Sequence, residues 1–140
     1  MKNRKNIYLV ALAIMILGVL LIGCDNDPKE VPGMLILTGI PQEYNGKYIR
    51  LVFIGGGGGV VGANWNSANR TFTGVPISGN SANIPLWGVG GDGGRYNGNE
   101  TRNFTVLIQA SSILDSETLL TKSFNSVTFI NGRATRNWSD

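Results

Sequence analysis

The side chains that most often carry out chemistry in proteins are scarce in this 140-residue chain. It contains no histidine and a single cysteine, Cys24. The absence of histidine removes the commonest general base, the Ser-His and Cys-His nucleophile pairs and the usual zinc and copper ligands. Serine is frequent, but no serine has an evident activating partner. The chemistry that remains is that of the Cys24 thiol and of a few carboxylates.

The segment before Cys24 has the order of a signal peptide. Lys2, Arg4 and Lys5 precede a run from Ile7 to Gly23 that has no charge and is rich in aliphatic residues. A basic start, an apolar stretch and a small residue at the cut are the three parts that a secretory signal requires. The apolar run is shorter than the roughly 20 residues typical of a transmembrane helix.

The run ends in Leu21-Ile22-Gly23-Cys24, which resembles the lipobox of bacterial lipoproteins. The resemblance implies transfer of diacylglycerol to the Cys24 thiol, cleavage after Gly23 and acylation of the new amine, with palmitate as a typical acyl group. Two or three acyl chains would make membrane attachment effectively permanent. The alternative is an uncleaved membrane anchor with an incidental cysteine.

Cleavage there would divide the chain into a signal peptide (1–23), a lipidated extended tether (24–33) and one β-domain (34–140). Three of the twelve basic residues precede Cys24, so the rest carries nine basic and nine acidic residues. A net charge near zero argues against nucleic-acid binding, because nucleic-acid-binding domains typically carry an excess of positive charge. With Cys24 lipidated, neither a disulfide nor a free thiol would remain, and the domain must depend on its core.

The carboxylates outside the tether show no recognised catalytic or metal-binding spacing. Asp92 and Glu100 could in principle serve a glycosidase, and Asp115 and Glu117 could share a calcium ion. Solvated loop acids are the favoured interpretation. We therefore expect no catalytic residue, no metal site and no enzyme, although a small carboxylate-dependent hydrolase remains an alternative.

Two glycine-rich stretches formally match the G-x-G-x-x-G fingerprint of dinucleotide-binding proteins. The first spans Gly57 to Gly62, and the second includes Gly88, Gly90 and Gly93. A true fingerprint opens a helix and has an acidic residue about 20 positions later, and neither feature follows Gly62. Loops or bulges are favoured, and we expect no nucleotide or other cofactor.

Three aromatic residues near polar, glycine-rich segments are possible ligand contacts: Trp65, Trp87 and Tyr96. Exposed rings beside asparagine and aspartate give rigid contact area for sugars or protein partners. The alternative is that these rings, like that of Trp138, plug the ends of a β-core.

The rest of the chain consists of short apolar runs separated by turn residues, which predicts an all-β fold. Alternation is clearest in Lys47–Ile54 and in Phe104–Ala110, the period of a half-buried strand. Further strands are expected at Met34–Thr38, Arg70–Val75 and Ala82–Trp87, the last at a sheet edge because of Pro85. Ser112–Lys122 could form a short helix or a loop. Such spacing is typical of a single antiparallel sandwich or small barrel.

The C-terminal sequence predicts a β-hairpin. Asn131-Gly132 separates two strand-like runs, and this dipeptide favours a type I′ turn. The resulting register pairs Phe129 with Ala134 and Val127 with Arg136. Because an arginine opposite a core valine is awkward, we expect Arg136 at a rim, with its charged head in water.

Several of these segments resemble a group of small lipoproteins of spirochaetes, chiefly treponemes. The resemblance lies in Leu37–Pro41, Tyr44–Tyr48, Phe124–Phe129 and Asn131–Ala134, and it spans nearly all of the mature chain. It implies an envelope location and an all-β domain, and it implies no activity.

Together these features favour a lipid-anchored, extracytoplasmic protein of the bacterial cell envelope. The leading hypothesis is a non-enzymatic binding module that presents loops to an envelope protein, a host protein or a glycan. The second is a structural accessory subunit whose β edges dock onto an envelope complex. No nucleic-acid or nucleotide partner is expected.

Overall fold

The computed structural model describes residues 32–54, 60–88 and 99–140. These residues form ten β-strands and one 3-10 helix, Gln42–Tyr44, and none of them lies in an α-helix. The strands are β1 Gly33–Thr38, β2 Tyr48–Phe53, β3 Val60–Gly62, β4 Asn64–Asn66, β5 Thr71–Thr73, β6 Val75–Pro76, β7 Ala82–Gly88, β8 Glu100–Gln109, β9 Thr118–Phe129 and β10 Arg133–Asn137. The all-β prediction is confirmed.

Eight strands form one barrel-like sheet, and β4 and β5 form a separate two-stranded sheet. The order in the large sheet is β10-β1-β7-β3-β2-β8-β9, with β6 also paired to β2. All pairs are antiparallel except β1 with β10, which is parallel. Because the outermost strands β9 and β10 are joined directly by the turn at Asn131-Gly132, the sheet comes close to closing on itself.

Strand direction defines two ends of this barrel. β1 begins at Gly33, and the Asn131-Gly132 turn and Ile54 lie at that same end; we call it the Gly33 end. β1 finishes at Thr38, and β2 begins and β8 finishes at that opposite end, which we call the Thr38 end. The assignment follows from the antiparallel pairing of β1 with β7, of β7 with β3, of β3 with β2 and of β2 with β8.

The core fills the barrel with inward-facing aliphatic and aromatic side chains. Phe104 lies at its centre, with ring centroids 5.5 Å from Phe124 and 6.4 Å from both Phe53 and Phe129. The fully or almost fully buried hydrophobic residues include Leu35, Leu37, Ile40, Ile49, Leu51, Ile77, Ile84, Leu86, Val106, Ile108 and Val127. Burial of such side chains is the main favourable contribution to folding.

The alternation predicted for β2 and β8 is confirmed, with one exception at the end of β8. Ile49 and Leu51 face the core, and Val52 is exposed. Along β8, the alternation predicts that Ala110 is buried, but this residue is exposed and lies outside the strand. A register shift between Ile108 and Gln109 breaks the alternation there, and Gln109 is buried instead.

The expectation that Pro85 places its strand at a sheet edge is wrong. β7 lies inside the sheet, between β1 and β3. Pro85 is opposite Met34, whose N–H donates to Gly132 on the other side of β1, so no hydrogen bond between β1 and β7 is expected at this pair. The Pro85 nitrogen faces the point where β3 ends, and its carbonyl accepts from Ala63 at 3.1 Å. The ladder therefore tolerates the missing donor.

A β-bulge in β9 changes which side chains face the core. Arg102 pairs with Val127 and Phe104 pairs with Phe124, so β9 has one extra residue between these positions. Ser126 occupies the bulge with φ of 53°, and its N–H donates to the Asn103 side-chain oxygen at 2.8 Å. The bulge lets both Phe124 and Val127 face inward although they are three residues apart.

The predicted turn is confirmed, but the predicted strand pairing beyond it is wrong. Asn131 and Gly132 have φ of 50° and 72°, as a type I′ turn requires, and Ile130 and Arg133 exchange two hydrogen bonds of 2.9 and 3.0 Å. In the described residues this bridge is the only backbone pairing between β9 and β10. β10 then diverges from β9 because it pairs with β1.

Side chains close the seam between β9 and β10 above that bridge. Arg136 is partly exposed and donates to the Ser126 carbonyl at 3.3 Å, consistent with the predicted rim position. The Phe124 and Trp138 rings meet edge to face at 6.1 Å. Lys122 donates to the Trp138 carbonyl, and its ammonium lies 4.9 and 5.5 Å from the two ring centroids. These contacts replace a backbone ladder, and cation–π attraction offsets part of the cost of sheltering Lys122.

The Ser112–Lys122 segment forms no helix. A loop of bends and turns leads into β9 at Thr118. The loop is fixed to the barrel by Gly74, whose N–H donates to the Ser112 carbonyl at 2.7 Å, and by Ala110, whose N–H donates to the Glu117 carbonyl at 2.9 Å.

The seam generates the first prediction. Replacing Trp138 with alanine should lower the free energy of unfolding by about 2 kcal/mol, less than a fully buried aromatic would, because this ring is only half-buried. Urea unfolding monitored by circular dichroism measures the change. Ile113→Ala, which truncates a side chain that is 68% exposed, is the control and should change stability by less than about 0.5 kcal/mol. An equal effect of both variants would contradict the role of the seam.

Candidate binding surface

The residues of the predicted lipidation site lie outside the described part of the chain. This applies to Cys24, to the Leu21-Ile22-Gly23 recognition segment and to the whole predicted signal peptide. Tyr96 and Asp92 also lie outside it, as do the glycines at 55–59 and 90–94. The described residues therefore allow two of the three predicted ligand-contact aromatics, Trp65 and Trp87, to be compared.

Trp65 lies on the hairpin formed by β4 and β5, which is a sheet separate from that of the barrel. It pairs with Phe72 across the β4–β5 sheet, and the two ring centroids are 4.7 Å apart. Both rings are half-buried. An isolated two-stranded hairpin is marginal in water, and an aromatic pair adds about 0.5–1.5 kcal/mol beyond area burial. The pair is therefore the main packing contact within this hairpin.

The hairpin tip, residues 66–71, is mostly polar and exposed. The Asn66 side chain accepts from the Ala68 N–H at 3.0 Å, and the Asn69 side chain accepts from the Thr71 hydroxyl at 2.6 Å. Arg70, with φ of 55°, is the only charged residue between Ala63 and Gly74. The local hydrogen bonds orient the amide groups, so the tip presents neutral donors and acceptors next to an aromatic pair.

The hairpin interrupts one strand of the barrel wall. β3 pairs with β2 at Gly62 and Leu51, and β6 pairs with the same edge of β2 at Val75 and Ile49. The ten residues from Asn64 to Thr73 lie outside the large sheet between these two contacts. The base of this segment is therefore located from the middle of β2 towards the Thr38 end, away from Gly33.

Trp87 has a different environment from Trp65. It lies on β7 opposite Val61, and because its neighbours Leu86 and Gly62 face the core, its side chain faces outward. The residue is only partly exposed, and its indole nitrogen is buried with no hydrogen-bond partner among the described residues. A ligand could reach only the apolar part of this ring. Of the two tryptophans, Trp65 is the better candidate for polar recognition.

The described carboxylates are dispersed. Glu100 forms an ion pair with Arg102 at 2.5 Å, and Asp115 and Glu117 are exposed on the loop before β9. Within the described ranges, no group of three or more His, Cys, Asp and Glu side chains could hold a metal ion. Nor does any helix in these ranges have the length and hydrophobicity to cross a membrane.

Gly62 has a packing role in the sheet. It lies in β3 and is followed by strand β4, whereas a dinucleotide fingerprint would begin a helix here. A Cβ atom on Gly62 would lie 2.5 Å from the Leu51 Cβ. The glycine is therefore needed for close approach of β3 to β2.

Two features at the Thr38 end were not predicted from the sequence. Gln109 is fully buried, and its amide nitrogen donates to the Leu114 carbonyl at 2.5 Å and to the Ser116 carbonyl at 3.4 Å, which fixes the 110–117 loop. The buried position of Gln109 depends on the register shift, for which the sequence carries no signal.

The second feature is Tyr44. Its pKa is raised by burial, by the neighbouring charge of Glu43 and by a hydrogen bond to Glu43.

Comparison with known proteins leaves the chain without an assigned relative, since no protein-family model, curated protein or solved structure gives a match.

The aromatic pair generates the second prediction. Trp65→Ala and Phe72→Ala should each loosen the hairpin and accelerate trypsin cleavage after Arg70, because the pair is the main contact that orders the two strands. Limited proteolysis followed by mass spectrometry measures the rate. Trp138→Phe, which keeps a ring at the seam, is the control and should leave this rate unchanged. Cleavage after Arg70 at the same rate in all variants would contradict the ordering role of the pair.

Proposed function

We propose that this chain is a lipid-anchored protein of the bacterial cell envelope whose β-domain is a non-enzymatic binding module. The observation that carries the proposal is the separation, along the barrel, of the start of β1 from the base of the β4–β5 hairpin. β1 begins at Gly33, nine residues after Cys24, whereas the base of the β4–β5 hairpin lies between the middle of β2 and the opposite, Thr38 end. A domain attached through Gly33 would therefore hold the base of this hairpin in the part of the barrel farther from the anchor.

The chemistry of the hairpin favours an uncharged, hydroxyl-rich ligand such as a glycan. Trp65 and Phe72 offer aromatic surface, and the tip offers amide and hydroxyl groups with a single positive charge at Arg70. Sugars are recognised by stacking on aromatic rings and by hydrogen bonds to neutral polar groups. An envelope or host protein is the alternative partner for the same surface.

The anchor is tested by intact-mass spectrometry of the membrane-extracted protein. We expect a species that begins at Cys24 and carries additional acyl mass, since the lipobox directs lipidation before cleavage. Cys24→Ala should lack this species and should not be recovered as a lipidated form. A full-length chain without lipid in the wild-type sample would show that the first 23 residues remain as a membrane anchor, and this part of the proposal would fail.

The binding surface is tested with the full lipidated chain in detergent on an array of bacterial and host glycans. Trp65→Ala should weaken any glycan signal at least about tenfold, the effect expected of a hot-spot aromatic. Trp138→Phe is the matched control and should bind as wild type. A signal that survives Trp65→Ala would locate recognition elsewhere, and complete absence of glycan binding would leave the protein partner as the hypothesis to test.

A second candidate function is a structural subunit that pairs its β edges with another envelope protein. The observation that favours it is the start of β9, residues 118–121, which precedes the side chains that close the seam and whose edge facing away from β8 has no strand partner among the described residues. Unpaired edges can accept a further strand. A photo-crosslinker at Ala68, in the hairpin tip, distinguishes binding through the hairpin from docking through the β9 edge. A partner that co-purifies in stoichiometric amount but forms no crosslink at Ala68 would favour edge docking.

A further inference from the structure

The Gly33 end of the barrel carries exposed isoleucine side chains. Ile130, which precedes the Asn131-Gly132 turn, is 64% exposed, and Ile54, which follows β2, is 49% exposed. Single exposed apolar residues are common on protein surfaces. Their location makes them relevant here. β1 begins at this end of the barrel, so the tether that precedes β1 joins the barrel at the same end.

We propose that the Gly33 end rests on the membrane to which Cys24 is attached, with the Ile130 side chain inserted among the lipids. This inference depends on the proposed lipid anchor. Arg133 is exposed directly across the turn from Ile130. An arginine in that place can contact lipid phosphates, to which its guanidinium group is well suited.

The length of the tether makes even a weak contact effective. Gly33 lies nine positions after Cys24, so the start of the barrel can move at most about 30 Å from the anchor point, given about 3.3–3.6 Å per extended residue. Tethering of this kind produces a high effective concentration of the contact surface at its target. An apolar contact too weak to hold a free protein on a bilayer is therefore populated in an anchored one.

Several backbone groups of the turn are hydrogen-bonded within the protein. Ile130 and Arg133 satisfy each other's N–H and carbonyl groups, the Asn131 N–H donates to the Asn99 side chain at 2.7 Å, and the Gly132 carbonyl accepts from Met34 at 2.8 Å. An unsatisfied backbone group is costly among lipids. Because these groups are paired within the protein, Ile130 can approach the acyl chains without exposing them.

The test uses single cysteines as label sites in the full lipidated chain, reconstituted in phosphatidylcholine and phosphatidylglycerol vesicles. Lipidation occupies Cys24, so a new cysteine is the only free thiol. I130C and I113C form a matched pair, since Ile113 is 68% exposed and lies in the loop at the Thr38 end. A fluorophore at position 130 should be quenched several-fold more strongly by lipids with quenchers in their acyl chains than one at position 113.

Equal, low quenching at both positions would overturn the membrane contact, provided that the protein still floats with the vesicles. Loss of flotation would instead contradict the proposed anchor, so the two failures are distinguishable.

A second variant tests the role of Ile130 itself. Energy transfer from a label at position 113 to a dye at the bilayer surface reports the height of the Thr38 end. Ile130→Asp should change this transfer efficiency, because release of the Gly33 end lets the barrel tilt and rise on its tether, while the chain remains folded by circular dichroism and remains anchored. Ile54→Ala, a truncation at the same end, keeps the turn intact and should change it less. Unchanged transfer in Ile130→Asp would show that Ile130 does not hold the domain to the membrane.

Discussion

The barrel depends on how a single sheet closes when its two outermost strands are also joined by a two-residue turn. A tight turn would normally pair its two strands along their whole length. Here β10 instead uses its backbone groups to pair in parallel with β1, and this pairing brings the first and last strands of the domain together. The seam that remains next to β9 is closed by side chains, namely those of Lys122, Phe124, Arg136 and Trp138.

This mode of closure determines the position of the two regions proposed to have functions. Since β10 holds β1 in place, the start of the domain is fixed beside the Asn131-Gly132 turn, where Met34 donates to the Gly132 carbonyl. The tether and Ile130 consequently share one end of the barrel. The base of the β4–β5 hairpin lies between the middle of β2 and the other end, so the regions proposed for attachment and for recognition use different surfaces.

Local patterns in the sequence predict most individual strands, because a half-buried strand has an obvious period of two. The alternation in β2 and in most of β8 belongs to this class, and so does the type I′ turn at Asn131-Gly132. Features that depend on distant pairing are not visible in the sequence. Pro85 occupies an internal strand only because its nitrogen faces the end of β3, and the arrangement of Phe124 and Val127 requires a bulge at Ser126. The register of β10 is likewise set by β1, which lies about 100 residues earlier in the chain.

The dependence on distant strand pairing also explains why the sequence predicts only part of the candidate binding surface. Trp65, Trp87 and Trp138 are chemically identical and all have polar neighbours, yet one lies on the β4–β5 hairpin, one on the outer wall and one in the seam. What separates them is the strand pairing around each ring: Trp65 lies outside the barrel sheet, Trp87 lies within it, and Trp138 directly follows β10.

Two glycines make the hairpin a distinct element. Gly62 lies against Leu51 just before the chain leaves the wall, and a Cβ atom on Gly74, just before the chain returns, would lie 2.9 Å from the Tyr48 Cβ. Both ends of the hairpin are therefore packed tightly against β2, and Gly74 is also hydrogen-bonded to the Ser112 carbonyl. The base is rigid while the tip is exposed. A contact element held in this way loses little conformational entropy on binding, which favours affinity without a large interface.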